Sequence, residues 1–192
     1  MPIVHGFDAP DRFVAGTVGE PGARTFFLQA REGARLVTVA LEKQQVAALA
    51  ERVDELLDEV MNDAETRGLV PAVAPLDLED DDPLDVPIEE EFRAGTMTLS
   101  WDPQAERVVI EVFPMGEELV GIADAEEEVP EEAEPSAVFV VRLDAAKARA
   151  FVQRSTRVIG AGRPSCPFCG QPVDPDGHLC VRANGFRRRD PV

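Results

Sequence analysis

The chain has 192 residues, with 37 Asp and Glu against 19 Lys and Arg, giving a formal net charge of -18. Hydrophobic residues make up 44% and aromatics 6%, enough apolar material for a folded core, which excludes a collagen-like, coiled-coil or fully disordered chain. The charge is uneven: residues 145–192 hold nine basic and three acidic side chains and residues 1–144 hold ten and 34, so the first part is near -24 and the tail near +6. At this length one domain, or one domain plus a small module, is expected.

Residues 1–8 have neither the basic start nor the apolar run of a secretory signal, and no segment nears the roughly 18 consecutive apolar residues of a membrane span, so a cytoplasmic location is expected. Residues 12–18 alternate and are rich in Phe, Val and Thr, and Gly19-Glu20-Pro21-Gly22 reads as a turn. Two more strand-like runs follow at 24–30 and 35–41, predicting an antiparallel meander. The period then changes: Val46, Leu49, Ala50, Val53, Leu56, Leu57 and Val60 line one face of an amphipathic helix, predicted to run to about Arg67 and to be stopped by Gly68 and Pro71.

Residues 71–91 are rich in Pro and hold nine acids, whose mutual repulsion predicts an extended linker or solvated loop. Strand patterning resumes at 92–101 and 107–113 across the turn Asp102-Pro103-Gln104-Ala105. A second acidic insert, at 124–134 with seven acids, precedes the apolar run 137–143. Asp144 is placed as the N-cap of a second helix, with Ala148, Phe151, Val152, Ser155 and Val158 or Ile159 on its apolar face.

The order is three strands and a helix, twice. Phe13-Val14-Ala15-Gly16-Thr17 recurs 79 residues later as Phe92-Arg93-Ala94-Gly95-Thr96, and Val37-Thr38-Val39-Ala40-Leu41-Glu42 matches Phe139-Val140-Val141-Arg142-Leu143-Asp144 in pattern. The reading is an α+β fold: duplicated βββα units forming an antiparallel-sheet body over residues 1–160, with a zinc-binding module and basic tail over 161–192.

All three cysteines lie in the last 27 residues, an odd count in a chain with no export signal, so metal ligation is favoured over disulfides. Cys166-Pro167-Phe168-Cys169-Gly170 sets two thiolates at chelating spacing, and the glycine permits the left-handed turn that aims backbone N–H groups at sulfur. His178-Leu179-Cys180 supplies an imidazole and a third thiol. The predicted site is therefore a structural Cys3His zinc site of Cys166, Cys169, His178 and Cys180, whose four protein ligands leave no open position. Only Leu179 separates His178 from Cys180, so Asp174, Asp176 or His5 stays open as a substitute ligand, and free cysteines beside an exposed histidine stay open as the alternative to a metal.

No phosphate-binding glycine loop is present, and none of Ser100, Ser136, Ser155 and Ser165 lies in a nucleophile elbow. No catalytic residue is assigned. Arg182, Arg187, Arg188 and Arg189 follow the zinc motif, with Arg154, Arg157 and Arg163 before it, a set that could meet nucleic-acid phosphates if the acidic body did not repel them, and whose favoured reading is a tail folded back on that body or solvated.

The stretches 13–22, 24–30 and 41–46, with Cys166-Pro167-Phe168-Cys169-Gly170 through Asn184-Gly185-Phe186, resemble an actinobacterial family of uncharacterised proteins, domain of unknown function 3090. The resemblance covers nearly the whole chain. It implies that the zinc ribbon and the βββα body belong to one design, with the acidic inserts in the family's variable regions; it carries over no activity and no catalytic residue. The leading functional reading is a non-enzymatic binding or adaptor protein acting through protein partners. An enzyme with a small-molecule site between the two repeats, around His5, Arg12 and the Gly-Thr turns Gly16-Thr17 and Gly95-Thr96, is the alternative. A nucleic-acid-associated ribbon protein working through the arginine tail is the second alternative. No membrane partner is expected, and the sequence does not decide the oligomeric state.

Overall fold

The computed structural model describes residues 3–66, 68–116, 136–162, 166–169, 173, 180 and 182. Seven strands are present: β1 (Ile3–Phe7), β2 (Arg12–Val18), β3 (Thr25–Glu32), β4 (Arg35–Leu41), β5 (Glu90–Asp102), β6 (Arg107–Pro114) and β7 (Ala137–Leu143). Helix α1 (Lys43–Asn62) follows β4 and helix α2 (Ala145–Gly160) follows β7. The α+β class is as read from the sequence, and so are the bounds of β2, β4 and β7. The 124–134 insert lies outside the described residues.

The strands form one sheet in the order β1-β7-β6-β5-β4-β3-β2. It is mixed rather than antiparallel, because β4 pairs with β5 and β1 with β7 in parallel. The crossover from β4 to β5 passes through α1, and a helical crossover returns the chain in its original direction. Strands β1, β2, β4, β5 and β7 therefore run one way, and β3 and β6 the other. The sequence reading missed β1. Only residues 8–11 join it to β2, although the two occupy opposite edges of the sheet. A flat sheet of this size would hold its edges about 29 Å apart, whereas this connection reaches at most about 18 Å. The sheet must therefore curl. Across the seam Phe13 on β2 lies 6.3 Å from Phe139 on β7, and Arg35, at the start of β4, donates to the Gly6 carbonyl of β1 at 2.7 Å and covers the Phe7 ring.

The concave face and both helices share one core. Phe7, Phe13, Leu28, Val39, Ile110, Phe139 and Leu143 from the strands meet Val46, Val53, Leu57 and Phe151 from the helices. Asp144 caps α2 as read from the sequence, accepting from the Lys147 N–H at 2.8 Å. The Gln45 Oε1 in the first turn of α1 accepts from the Glu42 N–H at 2.8 Å. Helix α1 ends at Asn62, short of the expected Arg67, because Asp63 accepts from the Glu65 N–H and Thr66 donates to the Val60 carbonyl, local bonds that compete with another helical turn. The helices are clamped by the buried Arg149 of α2, which pairs with Asp54 and Asp58 of α1 and donates to the Pro71 carbonyl.

The first acidic segment is not a solvated linker. Its residues 79–88 form a strap that wraps the β2 edge of the sheet. Leu84 and Ile88 cover Val14, Phe27 and Ala40 on the convex face, and the buried Gln29 exchanges two hydrogen bonds with the Asp85 backbone. Repulsion among the acids is offset by arginines from other elements. Asp80 pairs with Arg12 and Arg154, Asp85 with Arg12 and Arg31, and Glu79 and Asp81 with Arg157.

Candidate metal centre

Helix α2 ends at Gly160, and Cys166, Pro167, Phe168 and Cys169 follow as a tight turn. Cys166 and Cys180 are buried and Cys169 is half-buried. The three sulfurs lie within 4.8 Å of one another, and Cys166 Sγ is 3.8 Å from Cys180 Sγ. A disulfide would bring two sulfurs to about 2.05 Å, whereas four thiolates at about 2.3 Å from one tetrahedral ion stand about 3.8 Å apart. The three cysteines could therefore hold a metal ion. Burial pushes the Cys166 thiol up, but hydrogen bonds to its sulfur from the Phe168 and Cys169 backbone and the Cys169 and Cys180 side chains outweigh it, and its pKa falls below the ordinary thiol value. A thiolate poised this way is the form that binds metal.

Of the sequence-predicted ligands, Cys166, Cys169 and Cys180 come together. His178 lies outside the described residues, as do Asp174, Asp176 and Gly170. His5 stands on β1 opposite Phe139 and is not in the cluster, which among the described residues comprises only the three thiols. Phe168, between the first two cysteines, is 63% exposed, and Arg182 donates to its carbonyl at 3.4 Å. Arg163, Arg187, Arg188 and Arg189 lie outside the described residues. Arg154 and Arg157 are not part of a free basic surface, since both are bound to the acidic strap.

The residues grouped by sequence as a small-molecule site do not assemble. Arg12 lines a cleft between β2 and α2, but His5, Gly16, Thr17, Gly95 and Thr96 do not line it. Both Gly-Thr pairs lie inside strands rather than in turns, and each glycine admits a close neighbour. A Cβ on Gly16 would fall 2.5 Å from Leu84 Cδ2, and one on Gly95 would fall 2.7 Å from the Pro114 carbonyl oxygen. Three groups at the strap titrate away from their ordinary values. Asp80 is held below the usual carboxylate range chiefly by the hydrogen bond from Arg12, with burial opposing and the Arg154 and Arg12 charges adding. The same bond to Asp80 raises Arg12, whereas Arg154, the more deeply buried partner, is lowered because desolvation outweighs its attraction to Asp80. Arg154 and Arg157 were legible in the sequence only as part of the basic set around the zinc motif, and their individual acidic partners, Asp80, Glu79 and Asp81, were not.

Residues 5–180 match the family described as Protein of unknown function (DUF3090). The chain belongs to this family. No curated protein and no solved structure gave a match. The family description assigns no activity, so the function of this DUF3090 member has to be argued from its own residues. No helix among those described is long and apolar enough to cross a membrane.

Proposed function

We propose that this DUF3090 protein is a non-enzymatic cytoplasmic binding or adaptor protein, with a duplicated βββα body over residues 1–160 and a structural zinc ribbon over 161–192 that is presented to a protein partner. The convergence of three sulfurs within 4.8 Å carries the zinc reading. Thiolates are soft ligands suited to Zn2+, and His178, two residues before Cys180, completes the Cys3His set. Residues 164–186 contain little apolar material, essentially Phe168, Val173, Leu179, Val181 and Phe186, so metal binding supplies the folding energy of the segment, on the order of 10 kcal/mol for small zinc modules.

Duplication is supported by reciprocal contacts. From α1, Gln45 donates to the Ala94 and Gly95 carbonyls within Phe92-Arg93-Ala94-Gly95-Thr96; from α2, Arg154 donates to the Ala15 carbonyl within Phe13-Val14-Ala15-Gly16-Thr17. Each helix thus reaches the matching strand of the other unit.

Elemental analysis tests the site: wild-type protein should carry one zinc per chain, and Cys166→Ser and Cys180→Ser should each lose it. Full zinc content in both variants would remove the site. Affinity purification at low salt tests the adaptor reading, and a bait that retains no protein partner counts against it.

A further inference from the structure

A cleft of about 80 Å3 lies where the start of β2 meets α2 and the strap. At roughly 30 Å3 per water it holds two or three waters or one small anion, and it is far below the roughly 300 Å3 where sites for larger molecules begin. Its ionisable lining is Arg12, Lys147 and Arg154 against Asp11 and Asp80, a net single positive charge in a protein of net charge -18. Asp80 is committed to the two guanidinium groups, and exposed Asp11 accepts from the Gly33 N–H.

The cations are not saturated. Lys147 Nζ donates to the Pro10 carbonyl at 2.8 Å, its one acceptor among the described residues, which leaves two of three ammonium N–H groups. Among the described residues Arg12 Nη1 donates only to Asp85 and Arg154 Nη2 only to the Asp82 carbonyl, so each keeps one N–H toward them. Lys147 also sits in the first turn of α2, which contains no acidic residue. The positive end of the helix dipole is already met by the Asp144 carboxylate, which accepts from the Lys147 N–H, so the demand for an anion comes from the ammonium and guanidinium N–H groups. Phe13 and Phe151, stacked at 4.7 Å, form the apolar wall and limit screening by water.

We propose that this cleft is a binding site for a small oxyanion, a carboxylate or phosphate group, held by Lys147 with the spare N–H groups of Arg12 and Arg154. The site is separate from the metal centre and does not depend on it.

Titrating inorganic phosphate and, separately, acetate into the 15N-labelled full-length protein at constant ionic strength tests the proposal, with chloride as the control. The expected result is a saturable shift at the Phe13 and Lys147 amides with at least one of the two, larger than with chloride; the tighter binder identifies the group. Lys147→Met should weaken that affinity about tenfold or more, while Lys147→Arg should stay within a few-fold of wild type. If neither anion shifts the cleft amides beyond chloride, or if a folded Lys147→Met variant binds as tightly as wild type, the proposal is overturned. The wild-type titration alone decides the matter should Lys147→Met not fold.

Discussion

Replacing Asp80 by Asn tests whether the acidic strap is a structural element. The carboxylate accepts from Arg12 Nε at 2.6 Å, Arg12 Nη2 at 3.0 Å and Arg154 Nη1 at 2.6 Å. Removing one partner of a fully buried ion pair costs about 3–5 kcal/mol. Three features reduce that here: the Asp80 side chain is 26% exposed, asparagine keeps one acceptor oxygen, and both arginines keep backbone carbonyl acceptors. The expected loss is about 2 kcal/mol, or about 4–8 °C in Tm for a chain of this size. The pH dependence has a definite sign. Because the folded pKa of Asp80 is depressed below its ordinary value of 3.8, its stabilisation is fully present above that value and is lost as pH falls through the folded one. Urea unfolding should therefore show a constant gap between wild type and Asp80→Asn near neutral pH, closing as the medium becomes strongly acidic. Hydrogen exchange should show faster exchange of the Asp85 N–H, which donates to Gln29 at 2.7 Å. A variant as stable as wild type near neutral pH, or a gap unchanged in strong acid, would refute the reasoning.

Gly16 and Leu84 should couple. Leu84→Ala is expected to cost about 2–3 kcal/mol, and Gly16→Ala should also destabilise by forcing Leu84 aside; the double variant should lose less than the two together in a thermodynamic cycle. Gly95→Ala has no such relief, because the new Cβ meets backbone at Pro114 and Met115, so a loss above about 2 kcal/mol is expected in denaturant unfolding. Ser155 is fully buried and its Oγ finds no partner among the described residues, so Ser155→Ala should raise stability by about 1 kcal/mol, measurable as a higher Tm. Chelator treatment should accelerate thiol labelling of the three cysteines; equal rates before and after would mean that no metal protects them.

What was legible in the sequence was what depends on near neighbours. The alternation of β2 and β4, the 3.6-residue period of α1, the Asp144 cap and the paired cysteines each speak through residues a few positions apart. Strand β1 was not legible: it is five residues long, Gly6 interrupts it, and its only strand partner among the described residues is β7, more than 130 positions away. The strap was misread for a related reason. Nine acids in fifteen residues repel one another when considered alone, and composition does not reveal that Arg12, Arg31, Arg154 and Arg157 will be folded against them. Repulsion is local in sequence, whereas its compensation depends on tertiary structure.

That compensation changes what the charge asymmetry means. Three of the nine basic residues counted toward the tail, Arg149, Arg154 and Arg157, are bound to acids of α1 and the strap. The contrast between an acidic body and a basic end is therefore partly an internal set of contacts. Arg149 ties the first half of α2 to α1, and Arg154 and Arg157 tie its second half to the strap, so the helix is held along its length up to the residues preceding the cysteines. A neutral residue in place of any of these cations would leave neighbouring carboxylates crowded together without their counter-charge. Because α2 is fixed to the sheet in this way, its last residue, Gly160, six positions before Cys166, is held in a set place on the body.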